Sequence, residues 1–92
     1  MSQFGSGSLP VTLTTVGQQE VGQVAVARVY WYNPVTVGDI FILTNNEGKL
    51  IVRGRCEVAN QSQFFDFSAI PLSTDGYGIA ALSSGQLDIY TV

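Results

Sequence analysis

Histidine is absent from this 92-residue chain, cysteine occurs once, and charged residues make up only 12% of it. Each shortage excludes something. Without histidine the chain lacks the commonest general base and the commonest metal ligand. The single thiol, Cys56, rules out an intrachain disulfide and a multi-cysteine zinc site. Four cations (Arg28, Lys49, Arg53 and Arg55) stand against seven carboxylates, for a net charge of −3. Positive charges so few and scattered form no footprint for a phosphate backbone, so direct nucleic-acid binding is not expected. No stretch approaches the roughly 18–20 apolar residues that a membrane span requires. The N-terminal Met1-Ser2-Gln3-Phe4-Gly5-Ser6-Gly7-Ser8 lacks the charge and apolar run of a signal peptide. Synthesis in a reducing cytoplasm, without membrane insertion, is the expectation.

The remaining groups do not compose a catalytic site. Glu20, Asp39, Glu47, Glu57, Asp66, Asp75 and Asp88 are spread singly along the chain. A glycosidase pair would need two of them facing each other across roughly 5–10 Å. Asp39, Glu47 and Asp75 sit in turn-like contexts where a carboxylate has a local backbone role. Calcium-loop spacing is missing. Gly5-Ser6-Gly7 is followed by no lysine, so it is no phosphate loop. Asn60-Gln61-Ser62 matches the glycosylation triplet but has no signal peptide behind it. Cys56 falls at an inward strand position and reads as a small buried hydrophobe. Neither an enzyme nor a cofactor is expected.

What the chain does have is hydrophobic residues, 46% of it, set out with a period of two. Residues 1–8 are Gly/Ser-rich and read as a flexible N-terminal arm with Phe4 as its one apolar anchor. Residues 9–92 read as one domain. Strands are predicted over Pro10–Val16, Val21–Tyr32, Ile40–Leu43, Lys49–Val58, Phe64–Ile70, Gly78–Leu82 and Gln86–Val92. The turns between them are predicted at Gly17–Glu20, Asn33-Pro34, Asn45–Gly48, Asn60–Gln63, Ser73–Gly76 and Ser84-Gly85. In the second strand Ala25, Ala27, Val29 and Trp31 share one face, and Val24, Val26, Arg28, Tyr30 and Tyr32 share the other. The face with Arg28 is taken as the outer one, which makes Trp31 a core residue. In the fourth, Leu50, Val52, Cys56 and Val58 point inward, alternation breaks at Ile51, and Gly54 marks a bulge or close backbone approach. The fold class predicted is all-β: a small single-domain antiparallel β-sandwich or jelly-roll-like barrel of about seven short strands, with no substantial helix.

Two groups of residues are candidates for binding. Tyr30 and Tyr32 fall beside Arg28 on the outer face, and tyrosine suits interfaces because it buries area while keeping a polar tip. Arg53 and Arg55 point outward, where they meet carboxylates of a partner or pair within the sheet with Glu57. Phe4 on the arm is the sixth candidate. A low-charge surface on so small a domain points to part of it being covered in the working state. A carbohydrate-binding module that stacks sugars on Tyr30, Tyr32 or Tyr77 is the competing reading.

Three segments carry a resemblance. They are Val29-Tyr30-Trp31-Tyr32-Asn33-Pro34-Val35-Thr36-Val37-Gly38-Asp39, Gly54-Arg55-Cys56-Glu57-Val58-Ala59-Asn60-Gln61-Ser62-Gln63-Phe64-Phe65, and Asp75-Gly76-Tyr77-Gly78 leading to Ser84-Gly85-Gln86-Leu87-Asp88-Ile89-Tyr90. Their order resembles small β-rich virion proteins of tailed bacteriophages, including those of cyanobacteria, some of which are head decoration or cement proteins. The likeness covers roughly residues 25–90 and rests on hairpin and turn patterns, so it carries over no catalytic residue. It implies binding to the major capsid protein at junctions between its subunits, on the capsid exterior, as a homodimer or homotrimer. A tail or baseplate component belongs to the same structural class.

Overall fold

The alternation of apolar and polar residues resolves into seven strands in a computed structural model that describes residues 10–92. They are β1 (Val11–Leu13), β2 (Gln19–Tyr32), β3 (Ile40–Thr44), β4 (Leu50–Arg55), β5 (Gln63–Asp66), β6 (Leu72–Leu82) and β7 (Gln86–Thr91). All pair antiparallel in one sheet of order β1-β7-β2-β6-β3-β4, with β5 also on β2. The all-β, single-domain fold of about seven strands expected from the sequence is the fold present, with no helix among the described residues. The arm assigned to residues 1–8, and with it Phe4, lies outside the described residues.

β2 is the trunk of the sheet. Its residues Val26–Tyr32 pair with β7 on one edge. On the other edge, Gln19–Val26 pair with β6 and Arg28–Trp31 with β5, so β5 and β6 lie end to end. The Phe67 N–H continues the ladder between them by donating to the Ala27 carbonyl at 2.7 Å. At Gly78 the partner of β6 passes from β2 to β3. The sheet then rolls over on itself. Trp31 on β2 and Phe41 on β3 sit edge-on with ring centroids 4.9 Å apart, although β6 separates their strands in the ladder. Phe65 on β5 meets Phe41 from the other side at 5.5 Å. Leu13, Val26, Val29, Leu43, Cys56, Tyr77, Ile79, Leu87 and Ile89 complete the enclosed core. Burying each large apolar side chain of this kind contributes about 1.5–3 kcal/mol.

Gly54 lies where the sequence placed a close approach. A Cβ there would drive into the Phe41 ring and stand 2.9 Å from Phe65 Cζ. The break in alternation at Ile51 also has a physical cause. The β3–β4 register slips between Leu43 and Thr44, so Ile51 is an extra residue in β4 and packs against the core.

Four expectations need correction. Ser73–Gly76 forms no turn but lies within β6. Gly76 takes its positive φ of 80° inside the paired strand, facing the register shift between Glu20 and Gln23, and Thr74 Oγ1 donates to its carbonyl at 2.7 Å. The bulge itself is on β2, where Val21 and Gly22 (φ of 101°) stand opposite Gly76 alone, so the positive φ of Gly76 fits a strand facing a bulge and not a turn. Val26, assigned to the outer face, is fully buried, because the β2–β7 register shifts between Val26 and Arg28 and breaks the alternation there. Leu50 and Val58, assigned inward, are 53% and 55% exposed: Leu50 lies beyond the Ile51 bulge and Val58 beyond the end of β4. Finally, β1, β4 and β5 are shorter than predicted, and β2 already begins at Gln19 within the expected turn.

Two outcomes follow from this packing. Gly54→Ala is expected to cost about 1–3 kcal/mol in urea unfolding, since two rings must move to admit one methyl. Tyr77 supplies a pH test. Burial, with a smaller push from the Glu20 charge across the ladder, raises its phenol from 10.0 to about 12. Between those values the unfolded chain has released a proton that the folded chain keeps, so stability falls as pH rises through this window, by up to about 2–3 kcal/mol. In Tyr77→Phe that part of the alkaline loss should vanish from unfolding curves measured across the window.

Candidate functional site

Residues directly opposite in an antiparallel ladder share one face of the sheet. Tyr30 is paired with Phe64 on β5 and Asp88 on β7, Arg28 with Asp66 and Tyr90, and Tyr32 with Gln86. These side chains therefore cover the outward face of β5-β2-β7, turned away from Trp31. The Tyr30 ring lies 6.1 Å from Tyr32 and 6.0 Å from Phe64, and the three form a continuous aromatic ridge. Tyr32 and Phe64 are 50% and 54% exposed, with Tyr30 half-buried between them.

At one end of the ridge, Arg28 is less open than its outward position implied. It is half-buried, its Cζ stands 5.0 Å from the Tyr90 ring centroid, and its Nε is covered without a hydrogen-bond partner. Asp66, directly across the ladder, is occupied elsewhere. It accepts from the Ser68 hydroxyl and from the Ser68 N–H at 2.9 Å. Those two bonds hold its carboxyl below the usual range, with the Arg28 charge a smaller influence. Asp88 accepts from Thr12 Oγ1 at 2.7 Å and Gln86 Nε2 at 3.4 Å.

Arg53 and Arg55 sit elsewhere. The ladder sets Ile42 opposite Arg53 and Ile40 opposite Arg55 on the outward face of β3-β4. Because Trp31 and Phe41 meet across the core, the outward faces of β2 and β3 point away from each other. The six sequence candidates thus divide: Arg28, Tyr30 and Tyr32 are together, Arg53 and Arg55 are on the far side, and Phe4 is not described. Ile40, Ile42, Arg53, Gly54 and Arg55 line a shallow depression of about 390 Å³. Arg55 Nη1 pairs with Glu57 at 3.1 Å, and so exposed a pair contributes roughly 0–1 kcal/mol.

Phe64 was missing from the sequence candidates, yet a clue was present. Phe64 and Phe65 are consecutive in one strand, so only one of them can point inward. Tyr77 drops out as a stacking residue because it is only 2% exposed. The ridge rings are tilted 41° and 61° to their neighbours, which offers no flat platform for a sugar ring. Among the described residues no cluster of acids, histidine or cysteine is arranged to hold a metal ion. Cys56 is buried, its Sγ 3.2 Å from the Val58 carbonyl.

Half-exposed ridge residues should be separable from the core. Tyr32→Ala and Phe64→Ala are expected to lower unfolding free energy by less than about 1 kcal/mol each, while Trp31→Ala should cost about 3–5 kcal/mol. Urea denaturation of the three variants checks this contrast.

No family model matches the chain, and no curated protein or solved structure shows significant similarity to it.

Proposed function

We propose that this chain is a non-enzymatic virion structural protein, a capsid decoration protein that binds the outer capsid surface at junctions between major capsid protein subunits. The observation that carries this reading is the aromatic ridge Tyr30–Tyr32–Phe64, held on two paired strands with half of two rings open to water. Exposed aromatics grouped in this way are what protein interfaces bury at their centres. Their tilted arrangement suits irregular side chains of a protein surface better than the planar face of a sugar. The low charge content of the chain as a whole, 12%, agrees with part of its surface being covered. The resemblance to small phage virion proteins supplies the capsid as the partner. Interfaces of roughly 1,200–2,000 Å² suffice for stable association, and many copies spanning subunit seams would together resist opening of the shell.

The test is sedimentation of purified protein with expanded, undecorated heads. Saturable co-sedimentation of the natural chain is expected. The double variant Tyr32→Ala/Phe64→Ala should keep its fold and bind at least about tenfold more weakly, as loss of central aromatic anchors costs 1.4 kcal/mol or more. Failure of the natural chain to sediment with heads, alongside retention on a glycan array, would overturn the capsid reading.

A further inference from the structure

We propose that the free edge of β4 is a second docking surface, which takes an extended, acidic segment of a partner protein as an added strand. It lies on the far side of the molecule from the ridge and does not require the capsid reading.

Backbone geometry leaves this edge open. β4 is the last strand of the sheet, with β3 on one side only. In an antiparallel ladder, successive residues turn their N–H and C=O alternately toward one neighbour and the other. Ser83 engages both backbone groups of Ile40: the Ile40 N–H donates to Ser83 Oγ at 3.1 Å, and its carbonyl accepts from the Ser83 N–H at 2.9 Å. Ile40–Arg55 and Ile42–Arg53 are therefore the pairs without mutual hydrogen bonds, and both arginines direct their backbone groups to the open edge. At Arg55 that direction is already used. The Gln63 side chain donates to its carbonyl at 2.8 Å, the bond an added strand would make. The N–H and C=O of the exposed Arg53 have no such partner among the described residues.

Charge selects what pairs there. Lys49, Arg53 and Arg55 are three of the four cations in a chain of net charge −3, and all lie on or beside β4. Glu57 is taken by Arg55, and Glu47 lies beyond Lys49 in the β3–β4 loop. Arg53 has no ion pair among the described residues. A residue opposite Arg53 on an added strand would share its outward face, so a carboxylate at that position makes a cross-strand pair. A second copy of β4 would bring like charges together instead, which leaves an acidic strand as the occupant.

The edge also has room for the alternate side chains of such a strand. An opening of about 470 Å³ lies between the start of β4 and the start of β6, where Lys49, Leu50, Ile51, Pro71 and Leu72 line it. Leu50 is exposed there, and Ile51 and Leu72 pack against the core. Strand addition draws affinity from main-chain bonds and specificity from contacts to every second side chain. The segment that fits alternates acidic with aliphatic residues.

Two N-acetylated, C-amidated heptapeptides serve as probes, one alternating valine with glutamate and the other valine with lysine. Binding to the natural chain is followed by amide NMR, together with deuterium exchange at the Arg53 amide. The glutamate peptide is expected to bind saturably, to shift amides along β4 and to slow Arg53 exchange at least about tenfold. The lysine peptide should bind at least about tenfold more weakly. Arg53→Glu, at an exposed position, should keep the fold and reverse that preference. A glutamate peptide methylated at its backbone nitrogens should not bind. Strand addition is overturned if neither peptide binds, if the methylated peptide binds as well as the plain one, or if the shifts gather at Tyr30, Tyr32 and Phe64. Acidic selection is overturned if Arg53→Glu keeps the preference of the natural chain. Capsid binding is decided separately, by sedimentation with heads.

Discussion

Everything in this fold depends on the contact between Trp31 and Phe41. The two rings come from strands that are not ladder neighbours, so their edge-on packing is what converts a flat ribbon of strands into an enclosed core. Trp31 is also fixed at its polar edge, where Nε1 donates to the Ser84 carbonyl at 2.9 Å. The β6–β7 connection is thereby tied to the middle of the sheet. Gly85 makes that approach feasible. It holds φ of 75°, and a Cβ there would stand 2.5 Å from the Tyr32 carbonyl and 3.0 Å from the indole nitrogen. On the opposite wall Gly54 leaves the space that Phe41 and Phe65 fill. Each ring of the contact is thus seated by a residue without a side chain, Trp31 by Gly85 and Phe41 by Gly54.

That contact also sets the outer surface. Trp31 lies between Tyr30 and Tyr32 in sequence, and strand geometry sends its neighbours to the opposite face. Locking the indole in the core therefore locks the tyrosines outward, in a strand paired along both edges by β5 and β7. A ridge built this way has little backbone freedom left to lose when a partner covers it, which reduces the entropic cost of docking. The far side is a different kind of surface. There β4 is the last strand of the sheet, held by β3 on one edge, while on the other the Gln63 side chain donates to the Arg55 carbonyl at 2.8 Å. Arg53 and Arg55 on such an edge discourage pairing with a second copy of β4, which would bring like charges together.

What the sequence made legible follows from how local each cause is. Trp31 inward, Tyr30 and Tyr32 together, Cys56 buried and Gly54 under close contact all follow from period-two alternation within one strand. Most of the misreadings involve a second strand. Asp75-Gly76 looks like a turn because the residues that tolerate positive φ are the same in turns and bulges. Only the pairing with Glu20 and Gln23 decides between them. Val26 is buried through a register shift against β7 that no pattern within β2 records. Leu50 is carried outward by a bulge that the sequence did mark, at Ile51, but whose consequence for its neighbour depends on β3. Phe64 joins the ridge only once its strand is known to pair with Tyr30.

Exposed apolar residues by themselves do not single out the ridge. Val16, Val21, Val35, Val37, Val58, Ile70 and Val92 are all at least half exposed. Single surface aliphatics of that kind are ordinary, because a small protein has too little polar surface to cover itself. Most of these lie in turns, loops or strand ends, where neighbours in sequence need not be neighbours in space. The ridge differs in being contiguous across two strands and in its aromatic composition.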